Sequence, residues 1–164
     1  MGPGLLIKAL LQGGFSLMVF GWTQIIMDIQ PLVVILTGEG HLHGFSHTYL
    51  GGSLLAILAA LSGKHLSEYG LVVLRLAEKS RPIRISWLVT FSSAFIGAWS
   101  HVVLDSIMHS DLQPFYPFFN DNPMLGFISV ADLHKLCIYS GLLGAVIYYT
   151  GQYYIKNKSE SLPD

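Results

Sequence analysis

The sequence predicts an all-α integral membrane bundle of about four transmembrane helices, with one amphipathic cytoplasmic helix. Three observations lead there. Of 164 residues, 52 % are hydrophobic and only 12 % charged, with a mean hydropathy of +0.53, which is too apolar for an ordinary soluble domain. The apolar residues fall in runs of about 20, the length that crosses ~30 Å of hydrocarbon. Lysine and arginine gather at Lys8, over residues 63–84 and at Lys156 and Lys158, all on one side of a four-span layout, with Lys135 inside the start of the last span, as expected of a chain threaded through a bilayer. A net charge of −1 supplies no basic field for nucleic acid, so none is expected as a partner. Residues 1–158 read as one domain and residues 159–164 as a polar tail.

The first span is predicted over residues 5–27 and is read as an uncleaved helix. Gly13, Gly14 and Gly21 are tolerable where helices pack closely in a membrane. Asp28 follows, and Pro31 removes a backbone donor, so a kink or helix end is expected there. The apolar stretch to Thr37 is either a re-entrant piece or the rest of a kinked helix. A polar turn over residues 38–48 carries His41, His43 and His47. The second span is expected over residues 46–62, with Ser46 as its N-cap. Residues 63–84 hold five basic side chains, with apolar residues near helical spacing, and predict the amphipathic helix, ended by Pro82. The third span covers residues 85–108, and the fourth covers residues 130–155 after a loop rich in proline and aromatics.

The basic residues place both termini and residues 63–84 in the cytoplasm. Asp28, Glu39, His41, His43, His47, Asp105, His109, Asp111, Asp132 and His134 then gather near the opposite, extracytoplasmic face, with His101 somewhat deeper. Only His65 among the seven histidines falls on the basic side. The topology rests on the basic residues alone, so this segregation supports it independently.

The strongest local pattern is Ser100-His101-Val102-Val103-Leu104-Asp105-Ser106-Ile107-Met108-His109. On a helix, His101, Asp105 and His109 share one face, and ionisable residues emerging from an apolar span point to function. His43 and His47 are also four apart, with His47 the firmer ligand. Asp28 offers a counter-charge at the end of the first span. Such a mixed imidazole and carboxylate set suits zinc, manganese or iron without selecting among them; the expected cofactor is a divalent ion, zinc ahead of manganese or iron. His43, His109 and His134 are the candidates for moving protons or positioning a substrate.

Gly44-Phe45-Ser46-His47-Thr48, followed by Ser100-His101-x-x-x-Asp105 and preceded by an Asp closing the first span, resembles the membrane-bound metal-dependent hydrolases. This family is related to a LexA-regulated inner-membrane hydrolase. The resemblance runs in order along the chain and implies Asp28, His47, His101 and Asp105 as the metal set. It also implies fold-level kinship with zinc-dependent phospholipase C and single-strand nuclease folds. Two positions depart from the family pattern. Met27-Asp28-Ile29-Gln30 stands where the family has Pro-Asp-x-Asp. Leu42 stands at the first His of His-Arg-Gly-x-Thr-His. The expected activity is hydrolysis of a phosphoester or lipid-linked substrate at the extracytoplasmic face of the plasma (inner) membrane, with membrane lipids as the surroundings. The alternatives are a metal-binding transporter or sensor, or a pH-responsive scaffold.

Overall fold

The computed structural model describes residues 2–74 and 83–160. Its elements are α1 (Gly2–Leu11), α2 (Leu17–Met27), α3 (Ile29–Thr37), α4 (Tyr49–Val73), α5 (Trp87–Met108) and α6 (Val130–Glu160), with 3-10 turns at Gln12–Gly14 and Phe45–His47. No strand occurs among the described residues. Four segments are long and apolar enough to cross a membrane: Leu17–Thr37, Tyr49–Val73, Trp87–Met108 and Val130–Ile155.

The first span differs from the one expected over residues 5–27. The chain reverses at the Gln12–Gly14 turn, where Gln12 adopts φ 46° and Ser16 caps α2 by accepting from the Val19 amide. The Lys8 ammonium donates to the carbonyls of Gln12 (2.7 Å) and Phe15 (2.8 Å), which takes up acceptors freed at the turn. The spanning segment therefore starts at Leu17 and continues through α3. Its break falls at Asp28, three residues before Pro31. Proline at 31 has no N–H to give the Met27 carbonyl and crowds it, so the helix loosens one turn upstream.

The second span begins later and runs further than expected. Its N-cap is Thr48, whose hydroxyl accepts from the Gly51 amide at 2.9 Å, and Ser46 lies in the preceding 3-10 turn. The helix continues unbroken to Val73, so the first part of the segment read as amphipathic prolongs this span. The remainder of that segment, residues 75–82, lies outside the described residues, as do residues 161–164 of the tail. The third and fourth spans match closely. Ser86 caps α5, and α6 extends past Ile155 to Glu160.

The core is the three-way contact of α2, α4 and α5. Val19, Met27, Ala56, Ala59, Ala60, Ala94, Ala98 and Val102 are buried there. Small side chains let the helix axes approach closely, which is how helices gain contact when lipid offers no hydrophobic drive. Polar side chains join the helices across this core. Trp22 Nε1 donates to Ser62 Oγ (2.9 Å), Trp99 Nε1 to Ser53 Oγ (3.0 Å), and Gln24 Nε2 to the Gly97 carbonyl (2.9 Å). Met27 against Gly52 and Met18 against Gly70 make α2 antiparallel to α4, and Ser16 at Ser93 with Gln24 at Gly97 makes it parallel to α5. The start of α4, the end of α2 and the last turns of α5 therefore meet at one end of the bundle.

Helix α1 packs along α6 in the same direction, with Gly2 beside Cys137 and Gly141, and Leu6 beside Gly144. A Cβ at Gly144 would stand 2.5 Å from the Leu6 nitrogen and 2.6 Å from its Cα. Gly144→Leu is therefore expected to separate α1 from α6, at a cost of about 1–3 kcal/mol. A lower thermal midpoint in detergent, alongside an unaffected Leu143→Ala control on the exposed side, is the outcome that checks this packing.

Candidate metal centre

The site lies where α2 ends, α4 begins and α5 nears its last turn. His47 closes the Phe45–His47 turn and is fully buried, at 0 % exposure. Gly51 permits this seat, because a Cβ there would lie 1.9 Å from the Phe45 carbonyl oxygen. His101 and Asp105 come from one face of α5, as their spacing predicts, and Asp28 from the joint between α2 and α3. The side chains grade from His47 through His101 (10 % exposed) and Asp105 (15 %) to Asp28 (63 %). The group is closed on the α4 side and open at Asp28.

The side chains lie close together. His101 Nε2 is 3.3 Å from Asp28 Oδ1 and 3.1 Å from Asp105 Oδ2, and His47 Nε2 is 3.6 Å from the same Asp105 oxygen. Donors bound at 2.0–2.1 Å in a tetrahedron stand about 3.3 Å apart. One donor atom each of Asp28, His47 and His101 lies within 4.8 Å of the others.

Hydrogen bonds outside this group fix which ring nitrogen faces inward. Gln24 gives its amide nitrogen to the Gly97 carbonyl, so its oxygen, 3.0 Å from His101 Nδ1, must accept. Ser46 Oγ donates to Gln30 Oε1 and so accepts from His47 Nδ1 at 2.9 Å. Both imidazoles carry their proton on Nδ1 and turn Nε2 toward the carboxylates. This outer-shell arrangement orients histidine ligands in metal sites. His47 Nε2 is a buried acceptor with no hydrogen-bond partner, an expensive state unless a cation answers it. Burial pushes the His47 imidazole down to about 4 against the partial pull of Asp105. The ring is neutral at neutral pH.

Beyond His47 the histidines continue as a row. The His43 ring meets His47 edge-on, with centroids 5.2 Å apart, and stacks on His109 at 4.1 Å. His43 Nδ1 is 3.0 Å from both oxygens of Asp111. His41 and His43 line a cavity of about 550 Å³ with Phe45, Asp111 and Tyr116. His134 is exposed in the first turn of α6, and neither metal-competent group includes it among the described residues.

Gln24, Gln30 and Ser46 are partners of the site that residue type alone does not mark. Gln24 precedes Asp28 by one helical turn, a spacing that could have flagged it. Gln30 occupies the position where the resemblance expects a second carboxylate, and it orients Ser46. Its amide donates to the His41 carbonyl at 3.2 Å.

These features define a four-span helical membrane protein with a histidine and aspartate cluster at one end of its bundle. The chain belongs to the YdjM inner membrane protein family, whose sequence model matches residues 12–159. No curated protein and no solved structure matches it.

The neutral His47 has a consequence for stability. Its folded value of about 4 lies below the ordinary 6.5, so between these two the unfolded chain binds a proton that the folded chain refuses. Stability is present above pH 6.5 and is lost as pH falls toward 4. Thermal unfolding of metal-stripped protein is expected to show wild type losing up to about 2 kcal/mol more than His47→Gln between pH 7 and pH 5. Parallel pH profiles would contradict this.

Proposed function

We propose that the chain is a membrane-embedded metal-dependent hydrolase acting on a lipid-linked phosphoester, with Asp28, His47, His101 and Asp105 holding one divalent ion. The observation that carries the reading is the His47 Nε2 atom, buried, unpartnered and facing His101 and Asp105. Two nitrogen and two carboxylate donors suit zinc, with manganese or iron as alternatives. When bound, such an ion acidifies water and polarises a phosphoryl or carbonyl oxygen.

The surroundings of the cluster support a lipid-linked substrate. An apolar groove of about 620 Å³ runs between α2 and α4, walled by Leu17, Met18, Trp22, Ile25 and Leu66, and it ends at Gln24 and Asp28. It follows α2 for about 16 Å, close to half of a ~30 Å hydrocarbon core. An acyl chain of one leaflet fits that length, with its polar linkage at the open Asp28 side of the cluster. On the other side, the cavity lined by His41, His43, Asp111 and Tyr116 offers room for a polar headgroup. Asp28 and Asp105 balance the charge of the ion, and His47 and the Ala-rich core exclude water from behind it.

The topology in this reading has the end of α4, the start of α5 and the end of α6 cytoplasmic and the cluster facing the extracytoplasmic side; the cytoplasmic N-terminus expected from the sequence is not kept, because α1 runs with α6 and sets Gly2 beside Cys137, toward the cluster's end of the bundle. Lys8 and Arg84 line one cavity at the bundle end away from the cluster, which agrees with a basic cytoplasmic end.

Zinc- or manganese-loaded protein in mixed micelles with phospholipid is expected to release the phosphorylated headgroup. Chelation should abolish turnover, and His101→Ala should lower it at least about 100-fold while losing one metal equivalent. Metal bound without turnover on any phosphoester would favour a metal-binding transporter or sensor. A wild type that takes up neither ion would leave a pH-responsive scaffold.

A further inference from the structure

We propose that His43, His109 and Asp111 form a second divalent-cation site, next to the first along the histidine row and open to the cavity lined by His41 and Tyr116. Its three residues come from two neighbouring segments. His43 lies in the turn before α4, His109 is the C-cap of α5 in extended backbone (φ −112°, ψ 121°), and Asp111 follows two residues later. A donor atom of each lies within 4.8 Å of the others.

The geometry exceeds what a histidine and aspartate hydrogen bond requires. His43 Nδ1 stands equally far, 3.0 Å, from both oxygens of Asp111. These separations are near the about 3.3 Å between donors on a tetrahedral ion. A second imidazole, His109, is stacked on His43 at 4.1 Å and 26°, and its ring has no hydrogen-bond partner among the described residues. Two stacked imidazoles beside a carboxylate gain most when a cation sits between their nitrogens and the oxygens.

The position is also accessible. The His43 side chain is 10 % exposed and Asp111 50 %, so the group has a sheltered wall and an open mouth. His43 and Asp111 both line the cavity of about 550 Å³, which gives an ion an entry path and leaves coordination positions free for an outside ligand. Charge adds a consequence. A dication on Asp28 and Asp105 is balanced by two carboxylates, whereas a dication on Asp111 keeps a net positive charge and favours an anionic group in that cavity.

This site rests on the proposed function only for the class of ion, and the two can fail separately. Detergent-purified protein is stripped with chelator, titrated with zinc and weighed by native mass spectrometry, with circular dichroism checking that each variant is helical. Wild type is expected to bind two zinc ions, and Asp111→Asn, His109→Ala and His101→Ala one each. Two ions in wild type and in both Asp111→Asn and His109→Ala would overturn the second site. So would one ion in wild type that is lost only in His101→Ala, which leaves the first site intact. One ion lost only in Asp111→Asn would instead overturn the first. If Asp111→Asn is not helical, His109→Ala carries the same decision.

Discussion

Much of this structure is arranged around one buried nitrogen. His47 Nε2 sits inside a helical bundle with no donor to meet it, and its ring cannot turn away because Nδ1 is committed to Ser46. Ser46 is in turn held by Gln30, through its hydroxyl and its amide. His101 is held in the same manner by Gln24, and Gln24 by the Gly97 carbonyl. Two independent chains of hydrogen bonds thus aim two lone pairs at the same pair of carboxylates. Pre-orientation of this kind has a desolvation cost without a cation and becomes favourable with one.

The helices supply this precision through close contact. Gly51 lets the turn bearing His47 lie against the start of α4, and Gly97 lets α5 approach Thr23 and Gln24 on α2. Alanines fill the centre of the α2, α4 and α5 packing, so the backbones that carry Asp28, His47, His101 and Asp105 are near one another before any side chain reaches. The same closeness joins α1 to α6, yet α6 turns most of its length outward. The site depends on three helices and two loops, and α6 stands at its margin, which is why His134 stays apart.

The fold class was readable because bilayer thickness imposes run length, and run length survives in a bare sequence. Two of the four spans were readable nearly to the residue, because Ser86 and the change in composition at Val130 mark their starts. The first is hard to place because apolar runs flank the turn at residues 12–16 on both sides, and Gly13-Gly14, a turn signal in other settings, is equally at home where membrane helices pack closely. The backbone of Gln12 and the carbonyl contacts of Lys8 establish the reversal. Ser46 resembled an N-cap by residue type, but Thr48 took that place because Ser46 was engaged with Gln30 and His47. Of the cluster, His101 and Asp105 were legible from helical spacing. The convergence of Asp28 and His47 on them depends on which helices pack together, and the resemblance anticipated that grouping. The supporting glutamines were invisible because their role is to orient another side chain.

X-ray absorption at the zinc edge, on Asp111→Asn protein carrying one equivalent of zinc, tests the central claim most directly. It reads the ligands themselves. The account predicts a shell of nitrogen and oxygen only, at about 2.0–2.1 Å, with the outer-shell scattering of two imidazoles. Sulfur in the first shell, or a zinc ion surrounded by water without imidazole scattering, would contradict it.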